Sequence, residues 1–373
     1  MRSDLPVTVI IPAYNAATFI TETLRSVSAQ TYRNLDIVVV DDGSTDDTAE
    51  LVERHGREEP RLRLIRQANA GVATARNVGI EQSTSPLIAP MDSDDLWHPT
   101  RIEKHVAALE QNPQCGYVYS PFRRVDEAGR ILSSHPLFGF SGRVFFRQLI
   151  YNMIGNGSGM TIRREAALAV GCYDTRLDKA RIQGCEDWLF QSMLARDYEV
   201  AQVPEYLIGY RRSPGAMSND THRMWRSQIF ACELLIQMTS AAARPFIEAA
   251  QLQFSTKLAL LGLKDRNPLP IIGTVVGAVR RGQSARLAHE FGEVLERRAR
   301  RRPNPPTPGL PFLEVDTIAA PPQVFSPLAL KTMEWLREAD ETLSPGADLP
   351  RPDPGSQTPP SVSPTRRSPA LSR

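Results

Sequence analysis

Short apolar runs alternate with amphipathic stretches through the first third of the chain. Residues 7–11 (VTVII) are β-branched and almost continuously apolar, the pattern of a strand buried on both faces. Between 18 and 29, Phe19, Ile20, Thr23, Leu24 and Val27 recur at helical spacing and predict a helix. Strands are predicted next at 36–40, 62–65, 87–89 and 115–119. Helices are predicted between them: from a Thr45 or Asp46 cap to His55, over 71–82, and over 100–111. This alternation predicts an α/β fold with a mostly parallel sheet and helices on both faces. In such sheets ligands sit beyond the carboxyl ends of the strands.

From 123 to 240 the pattern is less regular. A turn is predicted at 126–129, helices at 145–152, 164–170 and 187–196, and strands at 160–162, 198–203 and 206–210. A helical stretch in one or two pieces covers 222–263. The apolar run 271–279 is too short to span a bilayer. Of the 30 prolines, 16 fall in residues 301–373, so 303–373 is expected to be a Pro/Ser-rich, largely disordered tail. Within it, 327–343 predicts one amphipathic helix that docks on the body. The expected division is a main domain over 1–225, a helical extension over 226–302 and the tail over 303–373.

Charge narrows the choice of partners. Lys+Arg 44 against Asp+Glu 42 leaves a net charge of +2, which excludes a whole-chain basic footprint for nucleic acid. Arg297, Arg298, Arg300, Arg301 and Arg302 form a local basic patch, read either as a surface for anionic lipid head groups or as a solvated helix end. Four cysteines without CxxC spacing suggest neither a disulfide scaffold nor a zinc knuckle. The N-terminal residues carry no long apolar segment, so no secretory signal is expected. GxGxxG, GxxxxGK, HExxH and GxSxG are all missing, which disfavours dinucleotide, P-loop, zincin and covalent-hydrolase chemistry.

Four polar clusters remain, three of them after predicted strands. The first is Pro12, Tyr14 and Asn15, where Pro12 fixes the chain and leaves backbone groups to border a base. Asp41 and Asp42 end the second strand, where one carboxylate can accept from a base N–H or a ribose hydroxyl; a turn and helix cap is the other reading. Asp92, Ser93 and Asp94 follow the fourth strand. Two carboxylates one residue apart can share a hard divalent cation, Mn²⁺ or Mg²⁺, whose other positions go to phosphate oxygens. Glu186 and Asp187 open a later helix, either as first-turn acids favoured by the helix dipole or as a base for an acceptor hydroxyl. Trp188 is a packing aromatic or a platform for a sugar face. Arg211 and Arg212 are candidates to steady phosphate charge, and His222 to complete a metal site.

Taken in order, VTVIIPAYN, VVVDDGSTDD, ANAGVATARN, APMDSDD and GCEDW resemble an inverting family 2 glycosyltransferase of the GT-A fold, over about residues 5–220. The resemblance implies a nucleotide-sugar donor, a UDP-sugar first, and a Mn²⁺ or Mg²⁺ cofactor. It places Pro12, Tyr14, Asn15, Asp41, Asp42 and Arg76 at the nucleotide, Asp92 and Ser93 near the ribose, and Asp94 at metal and diphosphate. It makes Asp187 the catalytic base and Glu186 its neighbour at the acceptor. The chain lacks QxxRW and the many membrane spans of processive synthases, which points to transfer of one sugar per event. The implied acceptor is a glycan, a lipid-linked molecule or a protein, in cell-surface glycan or glycoconjugate synthesis. The implied setting is cytoplasmic, with peripheral contact at the inner face of the membrane. Two rivals are a nucleotidyltransferase, which needs a Gly- and basic-rich triphosphate loop that the N-terminus lacks, and a silent nucleotide- or glycan-binding module.

Overall fold

The computed structural model describes residues 4–213, 215–264, 269–280, 282, 309–315 and 327–343. The alternating pattern folds as β1 (Val7–Ala13), α1 (Ile20–Ser28), β2 (Leu35–Asp41), α2 (Thr48–Gly56), β3 (Leu62–Arg66), α3 (Val72–Glu81) and β4 (Leu87–Pro90). There follow β5 (Leu96–Trp97), α4 (Arg101–Gln111), β6 (Cys115–Tyr119), β7 (Phe122–Val125), β8 (Ile131–Ser134), α5 (Phe145–Tyr151), β9 (Met160–Arg163) and α6 (Arg164–Ala169). The chain continues through α7 (Arg176–Lys179), α8 (Glu186–Asp197), β10 (Glu199–Gln202), β11 (Ile208–Arg211), α9 (Thr221–Gln237), α10 (Arg244–Lys264), α11 (Leu269–Arg280) and α12 (Pro327–Thr342).

Seven strands form the main sheet in the order β10-β6-β9-β4-β1-β2-β3. Only β9 runs against its neighbours, pairing antiparallel with both β4 and β6. Because β1, β2 and β4 are parallel, their carboxyl ends come out on one side. Side chains of β1 divide between the two faces with period two. Val7, Val9 and Ile11 join α1, α2 and α4 on one side, and Ile10 meets α3 on the other. That second face also carries α5, α6 and α8, with α9, α10 and α12 packed beyond them. The approach of α3 to β1 depends on Gly79, where an added Cβ would lie 2.3 Å from Ile10 Cγ2.

Several elements differ from the sequence reading. Helix α2 starts at Thr48, and Asp46 secures that start by accepting from Thr48 N–H (3.1 Å) and Thr48 Oγ1 (2.5 Å). A second, four-stranded sheet, β5-β11-β7-β8, was not predicted. Its strands are two to four residues long and β7 contains Arg123 and Arg124, so of the four only β11 overlaps a predicted strand, 206–210. The 222–263 helical stretch is two helices, α9 and α10, broken at 238–243. Residues 271–279 lie within α11, and no helix among the described residues is long and apolar enough to cross a membrane.

Two stretches of the expected tail return to the body. Phe312 is buried with Leu96, Val125 and Ile131 against the small sheet, while Phe312 N–H donates to Gly129 O (2.9 Å). Helix α12 forms as predicted: Leu336 and Ala339 are buried, and Trp335 stacks on Phe246 with ring centroids 4.4 Å apart. The buried Asp340 carboxylate accepts from Phe146 N–H (2.7 Å) and Arg147 Nε (2.7 Å), fixing the first turn of α5. The arginines at 297–302 and the segment 344–373 lie outside the described residues.

Gly79→Val should overpack the α3–β1 contact and lower unfolding free energy by about 2 kcal/mol. Urea denaturation followed by circular dichroism measures it.

Candidate active site

A cavity of about 500 Å³ opens at the carboxyl ends of β1, β2 and β4 and reaches across to the first turns of α8 and α9. Its wall contains Pro12, Tyr14, Asp42, Arg76, Asp92, Ser93, Asp94, Glu186, Asp187, Trp188 and Arg211. The four motif clusters, up to 175 positions apart, therefore meet. The parallel sheet brings the first three together, and β9 and α8 fold the fourth over them.

Arg76 is the electrostatic centre. It sits on α3 with its side chain only 6% exposed, and its Nη2 donates to Asp92 Oδ1 at 2.6 Å. Its guanidinium also lies over the Tyr173 ring, 5.1 Å from the centroid. Burial works against its charge, yet the carboxylates of Asp92, Asp187 and Glu186 outweigh burial and hold it firmly protonated. The fit requires Gly157: a Cβ there would be 2.8 Å from both Arg76 Nη2 and Asp92 Oδ2.

Asp92, Asp94 and Asp95 divide the labour of their loop. Asp95 is fully buried and accepts from Ser158 Oγ (2.5 Å) and Arg211 N–H (2.9 Å), so it is a strut. Ser158 Oγ also accepts from Asp92 N–H (2.9 Å). Thr23 Oγ1 donates to the carbonyls of Ser93 (3.0 Å) and Asp95 (2.9 Å) from the α1 side. Pinned this way through its backbone, the loop leaves the Asp92 and Asp94 carboxylates on the cavity. Burial, and then the Asp92 charge, push the Asp94 carboxyl up to about 6.

The donor chemistry suits a hard divalent ion: two oxygen ligands one residue apart, in a pocket where carboxylates outnumber cations. Among the described residues no group of three or more His, Cys, Asp or Glu is arranged to hold a metal. The protein would thus supply one or two ligands through Asp94 and Asp92, and phosphate oxygens and water would supply the rest. His222 lies in the first turn of α9 and is not among the residues that line the cavity, although Met224 of the same turn is.

Glu186 and Asp187 open α8, as the sequence predicts. Glu186 is buried, accepts from Gly184 N–H (3.1 Å), and has its carboxyl pushed up by burial against the opposing pull of Arg76. Asp187 Oδ1 accepts from Trp188 N–H (2.7 Å). Burial raises Asp187 to about 6, with Arg76 opposing and Glu186 and Asp92 adding to the shift. Trp188 is 1% exposed and packs edge-on against Phe254 at 5.4 Å, so its ring is a wall rather than an open platform.

Other candidates are placed differently from the sequence reading. Asp42 accepts from Gln67 Nε2 (2.7 Å), Ala70 N–H (2.8 Å) and Gly71 N–H (2.9 Å), so it shapes the 67–71 loop that brings Asn69 and Gly71 to the cavity. Asp41 accepts from Ser44 N–H (3.0 Å) and steadies the turn after β2. Asn15, with φ +49°, accepts from Thr45 N–H (2.8 Å) and ties the β1 and β2 loops together. The Arg211 guanidinium is committed to protein: it donates to Asp94 O (2.7 Å), Glu22 Oε2 (2.6 Å) and the Glu127 carbonyl. Arg212 bonds Ser218 (2.9 Å) and Asn219 (2.8 Å). Both arginines hold loops, and Arg211 fixes the Asp94 backbone from behind.

The sequence reading missed the 152–158 loop, which supplies Asn152, Gly155, Asn156 and Gly157 to the cavity. Its signal was present as the run Gly155-Asn-Gly-Ser-Gly159 just before β9, a spacing that permits close backbone approach. Tyr210, at the end of β11, also lines the cavity.

Residues 8–171 match the family model for Glycosyl transferase family 2. An uncharacterized glycosyltransferase of Rickettsia bellii is 37% identical over 144 residues, covering 38% of this chain and 20% of the relative. The chain therefore spans about a fifth of the length of that curated relative, and 23% of the next two. In structure, S. aureus TarS 1-349 superposes with a TM-score of 0.55 at 17% identity, over 80% of this chain and 93% of TarS 1-349. The mannosyltransferase PcManGT from Pyrobaculum calidifontis, in complex with GDP-Man and Mn2+, gives a TM-score of 0.53 at 19% identity, over 91% and 87%. At these identities the two structures establish the fold.

Arg76→Met should leave Asp92, Glu186 and Asp187 without their buried counter-charge and destabilise the chain by about 3 kcal/mol at pH 8. Without Arg76 the Glu186 and Asp187 carboxyl pKa values rise further above their unfolded values, so the folded state binds more protons and stability falls as pH rises through about 6. The deficit should therefore be smaller at pH 5 than at pH 8 in paired urea titrations.

Proposed function

Because residues 8–171 match the model for Glycosyl transferase family 2, we propose that this chain is a metal-dependent inverting glycosyltransferase of that family. It moves a single sugar from a nucleotide-diphosphate sugar to an acceptor hydroxyl, in cell-surface glycan or glycoconjugate synthesis. The carrying observation is that Asp187 and the Asp92–Asp94 pair line one cavity, on either side of Arg76. A binding module needs no buried carboxyl raised toward neutrality across from a pair of metal-suited carboxylates.

UDP-sugar is the proposed donor. TarS 1-349 forms complexes with UDP and with UDP-GlcNAc, and the Pyrobaculum enzyme with GDP-Man, which supports the nucleotide-sugar class. Pro12 and Tyr14 border the base, with the 67–71 loop that Asp42 holds. Asp94, with Asp92, would hold Mn²⁺ or Mg²⁺, which would supply positive charge against the departing diphosphate. Arg76 holds Asp92 in position through the 2.6 Å hydrogen bond to its Oδ1. One oxygen of Asp187 is fixed by Trp188 N–H; the other takes the proton from the acceptor hydroxyl as that oxygen bonds to the anomeric carbon. The bond from that carbon to the diphosphate breaks on the opposite side, nucleoside diphosphate leaves, and the configuration inverts. Alignment of the two substrates in the cavity lowers the barrier further.

Incubation with a panel of nucleotide sugars and Mn²⁺, reading donor hydrolysis, tests the activity. Asp187→Asn should lower kcat about 10²- to 10⁴-fold while calorimetry finds donor affinity unchanged. Asp187 acts as a base only when ionised, so kcat/KM of the wild type should fall as pH drops below about 6. Asp94→Ala should abolish the part of donor binding that depends on Mn²⁺ or Mg²⁺, again by calorimetry.

A further inference from the structure

Two fully buried glutamines sit in the apolar core where α5 packs on α8. Gln148 comes from α5. Gln191 comes from α8, one turn after Asp187 on the same side of the helix. Gln148 Oε1 accepts from Met153 N–H (3.2 Å), Gln148 Nε2 donates to Gln191 Oε1 (3.2 Å), and Gln191 Nε2 donates to Asn156 O (2.9 Å). Both ends of this chain are backbone groups of fixed polarity. An N–H only donates and a carbonyl only accepts, so each amide has one allowed orientation.

The same chain continues to the acidic loop. Asn156 Oδ1 accepts from Ser158 N–H (2.9 Å), and Ser158 Oγ in turn accepts from Asp92 N–H (2.9 Å) and donates to Asp95 Oδ2 (2.5 Å). Gln148, Asn156, Ser158 and Gln191 are all 2% exposed or less. Neither glutamine lines the cavity, so neither is placed to touch a substrate there. Packing does not call for amides at this point: an apolar pair of the same shape fills such a space at little cost. What a fully bonded amide pair adds is direction. The two parts it joins are the helix that carries Asp187 and the loop that carries Asp92 and Asp94.

We propose that Gln191 is a positioning residue that sets the distance between the Asp187 carboxylate and the Asp92–Asp94 pair. The assignment rests on the glycosyltransferase reading. In-line displacement needs the attacking oxygen and the departing diphosphate on opposite sides of one carbon, so the base and the paired acids must be held at one separation. Gln191 holds α8 to the 152–158 loop at that separation, and Gln148 holds the Gln191 amide in its orientation.

The test uses the full chain with the panel of nucleotide sugars and Mn²⁺, water serving as the acceptor. Gln191→Met keeps about the same side-chain length and removes both hydrogen bonds. It should lower kcat for donor hydrolysis about 10²-fold, the loss that a misplacement of about 1 Å brings. Donor affinity by calorimetry should stay within about twofold of the wild type. In the Asp187→Asn background the same substitution should cost less than about threefold, because a base that is gone cannot be misplaced. Gln148→Met, which spares the bond to Asn156, should lower kcat about tenfold, and it carries the test if circular dichroism shows Gln191→Met unfolded. A wild-type kcat in Gln191→Met overturns the proposal. So does an equal loss with and without Asp187, or a loss confined to donor affinity, since either marks a residue that only holds the fold. A wild type that hydrolyses no donor overturns the glycosyltransferase reading and this assignment with it, before any substitution is made.

Discussion

One buried guanidinium, Arg76, faces three carboxylates from two separate segments, and the site is organised around that imbalance. It pairs directly with Asp92 at 2.6 Å and acts electrostatically on Glu186 and Asp187. Removing a charge from water is costly unless it is well paired, so Arg76 and its carboxylates stabilise each other in a position neither could hold alone. The surroundings conform to this cluster. Gly157 leaves room for the ion pair, Tyr173 covers one face of the guanidinium, and α3 is drawn onto the sheet through Gly79. Arg76 and Arg211 are outnumbered by the acids of the cavity wall, which leaves it short of positive charge. Under the proposed function, a ligand that brings a divalent ion with its phosphates would make up that difference.

The rigidity of the acidic loop has a separate source. Its backbone is held from α1 by Thr23, from the β9 approach by Ser158 and from β11 by Arg211. All three bond to backbone groups or to the buried Asp95, which leaves the Asp92 side chain to Arg76 and the Asp94 side chain on the cavity. This division sets Asp94 apart from the strut Asp95. It also assigns work to the small second sheet, which delivers Arg211 to the loop. The C-terminal segments reinforce the same region at longer range: Phe312 packs on that sheet and Asp340 fixes α5, whose end leads into the 152–158 loop.

Much of the fold was legible because burial on both faces leaves a strong mark. Residues 7–11 and 36–40 are apolar without interruption, and the helices between them repeat at 3.6. Less was legible where elements are short and paired by position rather than composition. Strand β7 contains two arginines, one buried under the Tyr206 ring, and no local pattern distinguishes it from a loop. The tail shows the same limit. Proline content argues against a regular core there, yet Phe312 and Leu336 find buried places that only the assembled body provides.

The sequence by itself determined the parallel sheet, the acids at its strand ends and the family to which 8–171 belong, because strand periodicity and motif order are local properties of the chain. Tertiary structure decided what each acid does. Asp42 became the organiser of the 67–71 loop, Asp95 a strut, and Arg211 a backbone clamp, since the hydrogen-bond partners that claim them lie 25 to 189 residues away. It also decided that Glu186 and Asp187 share a cavity with Asp94. These outcomes depend on which groups meet across the fold and how far water is excluded. Neither quantity is written in the spacing of residues along the chain.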